Sequence, residues 1–171
     1  MKKIKLTQGK FALVDDCDYE YLNQWKWCAN KIKNTFYAER GSRKNKYRKH
    51  IIILMHRVIL QRMEIKFEQV DHIDGNGLNN YRSNLRAATN QKNLFNQRLK
   101  SNNTSGYKGV HWDKERQKWL AQIMIDGTSH YLGRFDDIEE AARAYNQAAI
   151  LYFGEFARLN IIRKQKPPRT Q

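Results

Sequence analysis

The stretch RLKSNNTSG, residues 98–106, carries no apolar periodicity and divides the chain. Segments of this composition act as linkers, because they bury too little apolar surface to offset the entropy of being ordered. A chain of 171 residues interrupted there must build two small cores in place of one large one. With 40% hydrophobic residues, each half can still pack a modest core.

Before the linker, KFALVDD and TFYAERG alternate apolar and polar positions, which predicts strands. Between them, YEYLNQWKW places Tyr21, Leu22 and Trp25 near helical spacing, with Trp27 beyond, and predicts a short helix or helical turn. Trp25 and Trp27 read as core residues. IIILM reads as a buried strand and MHRVILQRM as the start of a short helix. Thr89 is a candidate N-cap for a helix from Asn90 to Gln97.

After the linker, YKGVHWD, KWLAQIMID and SHYLGRF predict three strands, with a hairpin signal at Asp126-Gly127. Alternation on the second strand sets Leu120 apart from Trp119, Ala121, Ile123 and Ile125, without saying which side is core. DIEEAARAYNQAAILYFG predicts an amphipathic helix, with Ile138, Ala141, Ala142, Tyr145, Ala148, Ala149 and Tyr152 at helical spacing. Asp136 and Glu139 form a candidate capping box, and Gly154 a stop. RKQKPPRTQ is a basic tail.

Lys and Arg total 32 against 17 Asp and Glu, a formal charge of +15. That excess points to a polyanion, nucleic acid first, through counterion release. An anionic membrane is the rival. No apolar run of about 18 residues is present to span a bilayer. MKKIKLTQGK lacks the apolar core of a signal peptide, so a cytoplasmic setting is expected. Cys17 and Cys28, with no second pair, make no zinc framework, and both read as core or half-buried thiols. Arg43, Lys44, Lys46, Arg48 and Lys49 crowd into a solvated hairpin tip or a phosphate-contacting loop; the sequence leaves both open. Basic and aromatic residues also gather on the later strands. A sheet so decorated can enter a major groove, or Trp112 and Trp119 can be sheet packing.

VDHIDGNGLNNYRSNL, residues 70–85, is too polar for a core strand and too irregular for a helix. It reads as a surface turn or as a site. Phosphodiester hydrolysis needs a base for water, an electrophile for developing charge, and a way to hold both on one phosphate. His72 can be the base and Asp71 an oxygen ligand for a hard cation, with Asn93 offering a second oxygen and Asn84 fixing the loop. Adjacent residues on a regular strand face opposite ways, so this arrangement requires a break, which Asp74-Gly75 can supply.

Two resemblances sharpen these readings. Tyr107-Lys108-Gly109-Val110, Lys118-Trp119, Leu132-Gly133-x-Phe135, Ala141-Ala142-x-Ala144-Tyr145, Ala148-Ala149 and Leu159-Asn160 resemble the APETALA-two, or ethylene-response-factor, DNA-binding domain. The resemblance implies a three-stranded antiparallel sheet packed on one helix and docked in a major groove. Lys108, His111, Lys118, Trp119 and Tyr131 fall at its contact positions. Lys108, His111 and Tyr131 differ from the residues common in plant relatives, so base preference does not transfer.

His56-Arg57, Val70-Asp71-His72-x-Asp74-Gly75, Asn79-Asn80, Asn84-Leu85 and Asn93 resemble the HNH nuclease motif of homing endonucleases. Leu6-Thr7, Ala12-Leu13-Val14-Asp15, Trp25-Lys26-Trp27 and Tyr37-Ala38 resemble the N-terminal part of phage and bacterial HNH proteins. This resemblance implies a ββα-metal core, with His72 as general base, Asp71 and Asn93 holding one Mg²⁺ or Mn²⁺ ion, and Asn84 as the structural middle residue. His56 and Arg57 are assigned to site support or phosphate contact, and Arg86 joins them as a candidate DNA contact.

The expected fold is α+β. A small β-rich region and the nuclease fill residues 1–97, with the ββα-metal core at about 68–97. The linker at 98–106, a DNA-binding domain at 107–160 and the tail at 161–171 complete the chain. The expected function is cleavage of double-stranded DNA at a preferred site by a monomer, in a bacterial or phage-infected cell. A DNA-binding regulator with a dead nuclease site, or an RNA-binding protein drawn by charge, are the alternatives.

Overall fold

A computed structural model describes residues 1–42, 51–99 and 102–162. It is a mixed α/β structure of short antiparallel sheets and few helices. Two compact units meet in the sequence between Asn96 and Gln97.

In the first unit, β1 (Lys2–Lys5) and β2 (Phe11–Val14) form an antiparallel hairpin whose alternation buries Ile4, Ala12 and Val14. The helix α1 (Asp16–Leu22) stops before either tryptophan of YEYLNQWKW. Trp27 lies instead in extended chain beside Leu6, buried, with its indole N–H donating to the Leu22 carbonyl at 2.8 Å. Trp25 is half-buried under the Arg40 guanidinium.

The next sheet is antiparallel, in the order β3 (Cys28–Ile32), β4 (Thr35–Gly41), β5 (Ile52–Leu54). Ile51 and Ile52 are exposed, which corrects the expectation that IIILM is buried throughout. β5 is an edge strand, and burial begins at Met55, the first residue of α2 (Met55–Arg62). Both cysteines are exposed, contrary to expectation. Cys17 lies off the buried side of α1 that carries Asp18 and Leu22, and strand alternation turns Ala29 inward and Cys28 out.

β6 (Gln69–His72) and β7 (Leu85–Ala88) then pair antiparallel, and α3 (Asn90–Phe95) packs on both. Thr89 caps α3 as expected, its hydroxyl accepting from the Lys92 N–H at 3.2 Å. The helix ends earlier than Gln97, with Asn96 at its C-cap.

One apolar cluster joins Ile4 and Val14 to Leu22, to Met55 and Ile59 of α2, and to Leu85 of β7. A buried carboxylate adds a polar tie. Asp18 is fully enclosed, and it accepts from Arg62 at 3.0 Å and from Arg82 at 2.7 and 2.8 Å. Arg82 lies in a 3-10 turn (Arg82–Asn84), so Asp18 ties α1, α2 and that turn together. The arginines hold its carboxyl below the usual range against the opposing effect of burial.

The second unit is a sheet in the order β10 (Thr128–Phe135), β9 (Lys118–Ile125), β8 (Val110–Asp113), covered on one side by α4 (Ile138–Phe153). Asp126 and Gly127 turn between β9 and β10 with φ of 50° and 79°, as the hairpin signal predicts. Val110 and Ala121 pack against Ala141 and Ala142, which settles the covered side as that of Trp119, Ala121 and Ile123. The small alanines permit close approach. At Gly109, φ is 70°, and a Cβ would strike the Tyr145 ring and the Gln122 carbonyl.

The helix cap differs from expectation by one residue. The Asp137 carboxylate accepts from the N–H groups of Glu139 and Glu140, while Asp136 pairs with Lys118 at 3.1 Å. β10 runs through Phe135, so Asp137 is the last extended residue before helical dihedrals begin. Asn160 closes the unit. Its side chain binds both backbone groups of Lys108, and its own backbone is held by Asn146.

Candidate active site

β6 keeps its register to its end, with Asp71 opposite Arg86 and His72 opposite Leu85. The chain turns immediately afterwards: the Ile73 N–H donates to the Asn84 carbonyl at 2.9 Å and the Gly75 N–H to the His72 carbonyl at 2.8 Å. The chain leaves β6 after His72, just ahead of the Asp74-Gly75 pair expected to supply the break, so Asp71 and His72 both remain in regular pairing. Both residues are buried, and their side chains meet different partners.

The loop between β6 and β7 is built on amides and one carboxylate. Asp74 accepts from the Asn76 N–H at 2.7 Å, the Asn79 amide at 2.8 Å and the Asn84 amide at 3.0 Å. Asn84 also donates to the Asn79 carbonyl and accepts from the Asp74 N–H, so it joins the two ends of the loop. These contacts hold the Asp74 carboxyl below its usual range, although burial acts against them. The loop leans on β2, with Leu13 N–H donating to Leu78 and Asn80 N–H donating to Leu13, both at 2.9 Å. At Gly77 a Cβ would lie 2.5 Å from the Phe36 carbonyl oxygen and 2.7 Å from the Tyr37 ring, so only glycine lets the loop settle there.

His72 stands in a cluster of rings. Its centroid is 5.1 Å from that of His56 and 5.7 Å from that of Tyr37, both edge-on. Its Nε2 lies 3.1 Å from Oδ1 of the fully buried Asn80, whose amide nitrogen is 3.7 Å from the Met55 sulfur. An amide oxygen only accepts, so with that assignment of the amide Nε2 carries the proton and Nδ1 is left as the basic nitrogen. Burial pushes the His72 pKa down, partly offset by Asn80, Asp74 and Asp71, and the ring is neutral near pH 7. His56, the second residue of α2, is pushed down to about 3 by burial and then by His72 and Arg57. Its Nδ1 is buried without a hydrogen-bond partner.

Asp71 faces the other set. Arg86 donates to its Oδ2 from Nε at 2.9 Å and Nη2 at 2.6 Å. Arg86 thus lies against Asp71, largely covered, and not out on the surface as a DNA contact would be expected to stand. Arg57 is half-buried with its guanidinium over Phe67. Asn93, one turn into α3, has a buried Oδ1 without a partner. An orphaned amide oxygen and a buried carboxylate are a donor set suited to a hard divalent cation. Among the described residues no group of three His, Cys, Asp or Glu side chains could hold a metal, so an oxygen site here would use amide and water as well.

Sequence reasoning missed two side chains at this centre. Asn80, the second residue of the Asn79-Asn80 pair, orients the His72 ring. Asn96 was passed over, although it reaches both oxygens of Asp71 at 3.1 Å.

In the second unit, the register brings His111, Leu120 and Arg134 into line on the side away from α4, with Gln122 beside Tyr131. His111 and Tyr131 are exposed there. Arg134 pairs with Asp113 at 2.9 Å and lies over the Tyr131 ring. Lys118, the first residue of the central strand β9, pairs with Asp136. Lys108 precedes β8, and burial, then Arg158, pushes its amine down to about 8. Trp119 stands on the other side, half-buried against the α4 core, with its ring 5.0 Å from that of Trp112. The register therefore separates it from the other expected contacts. Arg43, Lys44, Lys46, Arg48 and Lys49 lie outside the described residues, as does the tail from residue 163.

Comparison with known proteins accords with both units. Residues 53–94 match the family model described as HNH endonuclease, and residues 105–155 match that of the AP2 domain. An uncharacterized HNH endonuclease of Acanthamoeba polyphaga mimivirus is 34% identical over 155 residues, covering 91% of this chain and 77% of that protein. Protein 3.8 of Escherichia phage T7 is 40% identical over 89 residues, 52% of this chain and 73% of its own. The ethylene-responsive transcription factor ERN1 of Medicago truncatula is 36% identical over 104 residues, 58% of this chain but 35% of its own. The chain belongs to the HNH endonuclease family and carries an AP2 domain after its nuclease segment. No helix among the described residues is long and apolar enough to cross a membrane.

Proposed function

We propose that this protein is a metal-dependent endonuclease of homing type that hydrolyses phosphodiester bonds in double-stranded DNA at a preferred site. The observation that carries the reading is the His72 environment: a buried, neutral imidazole, oriented by Asn80, next in sequence to a buried carboxylate. His72 Nδ1 accepts the proton of the water that attacks phosphorus. Asp71 and Asn93 would hold one Mg²⁺ or Mn²⁺ ion, which when bound supplies positive charge to the phosphate and the leaving oxygen. β6, β7 and α3 serve as a ββα-metal core. Asn84 holds the loop ends together, and Asn80 fixes the ring of His72. His56 and Arg57 support the base from α2.

The division of labour follows the two units. Residues 1–97 cut, residues 98–106 link, and residues 107–160 direct the enzyme through the uncovered side of their sheet, with His111, Tyr131, Lys118 and Lys108 toward duplex DNA. The protein acts on DNA as a monomer. The test is incubation with supercoiled plasmid in Mg²⁺ or Mn²⁺. Wild type is expected to nick or linearise it, and His72→Ala to bind duplex without cutting. Tight binding by the wild type with intact plasmid in both metals would overturn the reading in favour of a DNA-binding regulator.

A further inference from the structure

The Asn96 amide is placed as no other described amide is. Its Nδ2 lies 3.1 Å from each carboxylate oxygen of Asp71, 2.9 Å from the His72 carbonyl and 3.3 Å from the Ile73 carbonyl. Four oxygens thus converge on one nitrogen that carries only two hydrogens. The hydrogen bonds must be shared, and none is strong alone. Their common effect is to set the positive end of one amide dipole where β6 ends and where its carbonyls and its carboxylate crowd together.

The position has a further property. Asn96 is the C-cap of α3, the residue at which the helix gives up helical dihedrals, and it is buried. Asn93, with its orphaned oxygen, lies one turn earlier on the same helix. One side chain therefore links the helix that carries Asn93 to the strand that carries Asp71 and His72. Arg86 restrains the same carboxylate from across the hairpin through Oδ2. Asn96 reaches both carboxylate oxygens and also ties the carboxylate to the backbone carbonyl of His72.

We propose that Asn96 is a positioning residue of the nuclease centre, which sets the orientation of the Asp71 carboxylate and its spacing from Asn93 for binding a divalent cation. The proposal rests on the assignment of Asp71 as a metal ligand. Partners that orient a ligating carboxylate lose metal affinity by roughly 10- to 100-fold when removed. A side chain that served only to cap a helix would change stability and leave metal affinity as it was.

The experiment is direct Mn²⁺ binding by calorimetry to the full chain without DNA, comparing wild type, Asn96→Ala, Asn96→Leu and Asp71→Ala, with melting temperature recorded for each. Asn96→Leu keeps bulk while removing the donor, and serves if the alanine variant fails to fold. Expected is a folded Asn96 variant with Mn²⁺ binding weakened about 10- to 100-fold, and cleavage recovered at high Mn²⁺. Mn²⁺ affinity that is unchanged or raised in a folded Asn96 variant, while Asp71→Ala abolishes binding, overturns the proposal alone. Undiminished binding by Asp71→Ala overturns the metal assignment itself and the proposal with it.

Discussion

The two units handle polar side chains in opposite ways. In the first, Asp71, His72, Asn80, Asn84 and Asn96 are all buried, and hydrogen bonds fix each of them. In the second, His111, Tyr131 and Arg134 stand out on a sheet whose other side is sealed by alanines. A group that moves a proton works best when its surroundings are fixed before substrate arrives, since preorganised dipoles act without rearranging. A surface that meets a long charged polymer must stay accessible, and its long side chains can adapt. The loop of the first unit is therefore rich in asparagine, which satisfies itself locally, while the sheet of the second keeps cations and aromatics.

The strongest way to break that comparison is His72→Ala. Cleavage is expected to fall by about 10² to 10⁴, the usual contribution of a general base, with duplex affinity unchanged in a gel-shift titration. A parallel loss of binding would show that the buried centre also holds DNA. Next is Asp18→Ala, which leaves Arg62 and Arg82 without their shared carboxylate. Breaking a buried pair costs about 3 to 5 kcal/mol, and the lower end is expected because both arginines keep some solvent. Urea denaturation measures it, and a loss below about 1 kcal/mol would place this tie among ordinary surface pairs.

Acid supplies a third test. The folded pKa of His56 lies near 3, below the 6.5 of a free imidazole, so the unfolded chain binds the proton first. Stability is then full above about pH 6.5 and declines as pH falls toward 3. His56→Asn should flatten that decline in thermal melts, and an equally steep decline in the variant would assign it to His72 and other groups. The smallest effect is expected on the open sheet. Tyr131→Ala should weaken binding of a cleaved duplex by about 1 to 3 kcal/mol if the ring meets base edges. An unaltered salt slope would separate it from a phosphate contact.

Local chemistry made several elements legible in the sequence. Thr89 before α3 and Asp126-Gly127 between β9 and β10 announce themselves because cap and turn depend on a few adjacent dihedrals. The choice between Asp136 and Asp137 was not legible, since it rests on where β10 releases the chain. Asn96 was hidden for the same reason: its reach to Asp71 depends on α3 stopping at Phe95. Asn80 was hidden because its partner, His72, is met only after the loop folds back onto Leu13. Alternation along β9 was visible, but only the docking of α4 decided that Trp119 faces inward.

The support that Leu13 gives to the loop between β6 and β7 bears on how the matched nuclease segment can be transplanted. The matched nuclease segment begins at residue 53, yet two backbone hydrogen bonds to a residue forty positions upstream hold the loop in place. A graft cut to the matched segment would leave that loop without its splint. The portable cutting module must therefore include the first hairpin, and engineered fusions should be spliced beyond α3, never between β2 and β6.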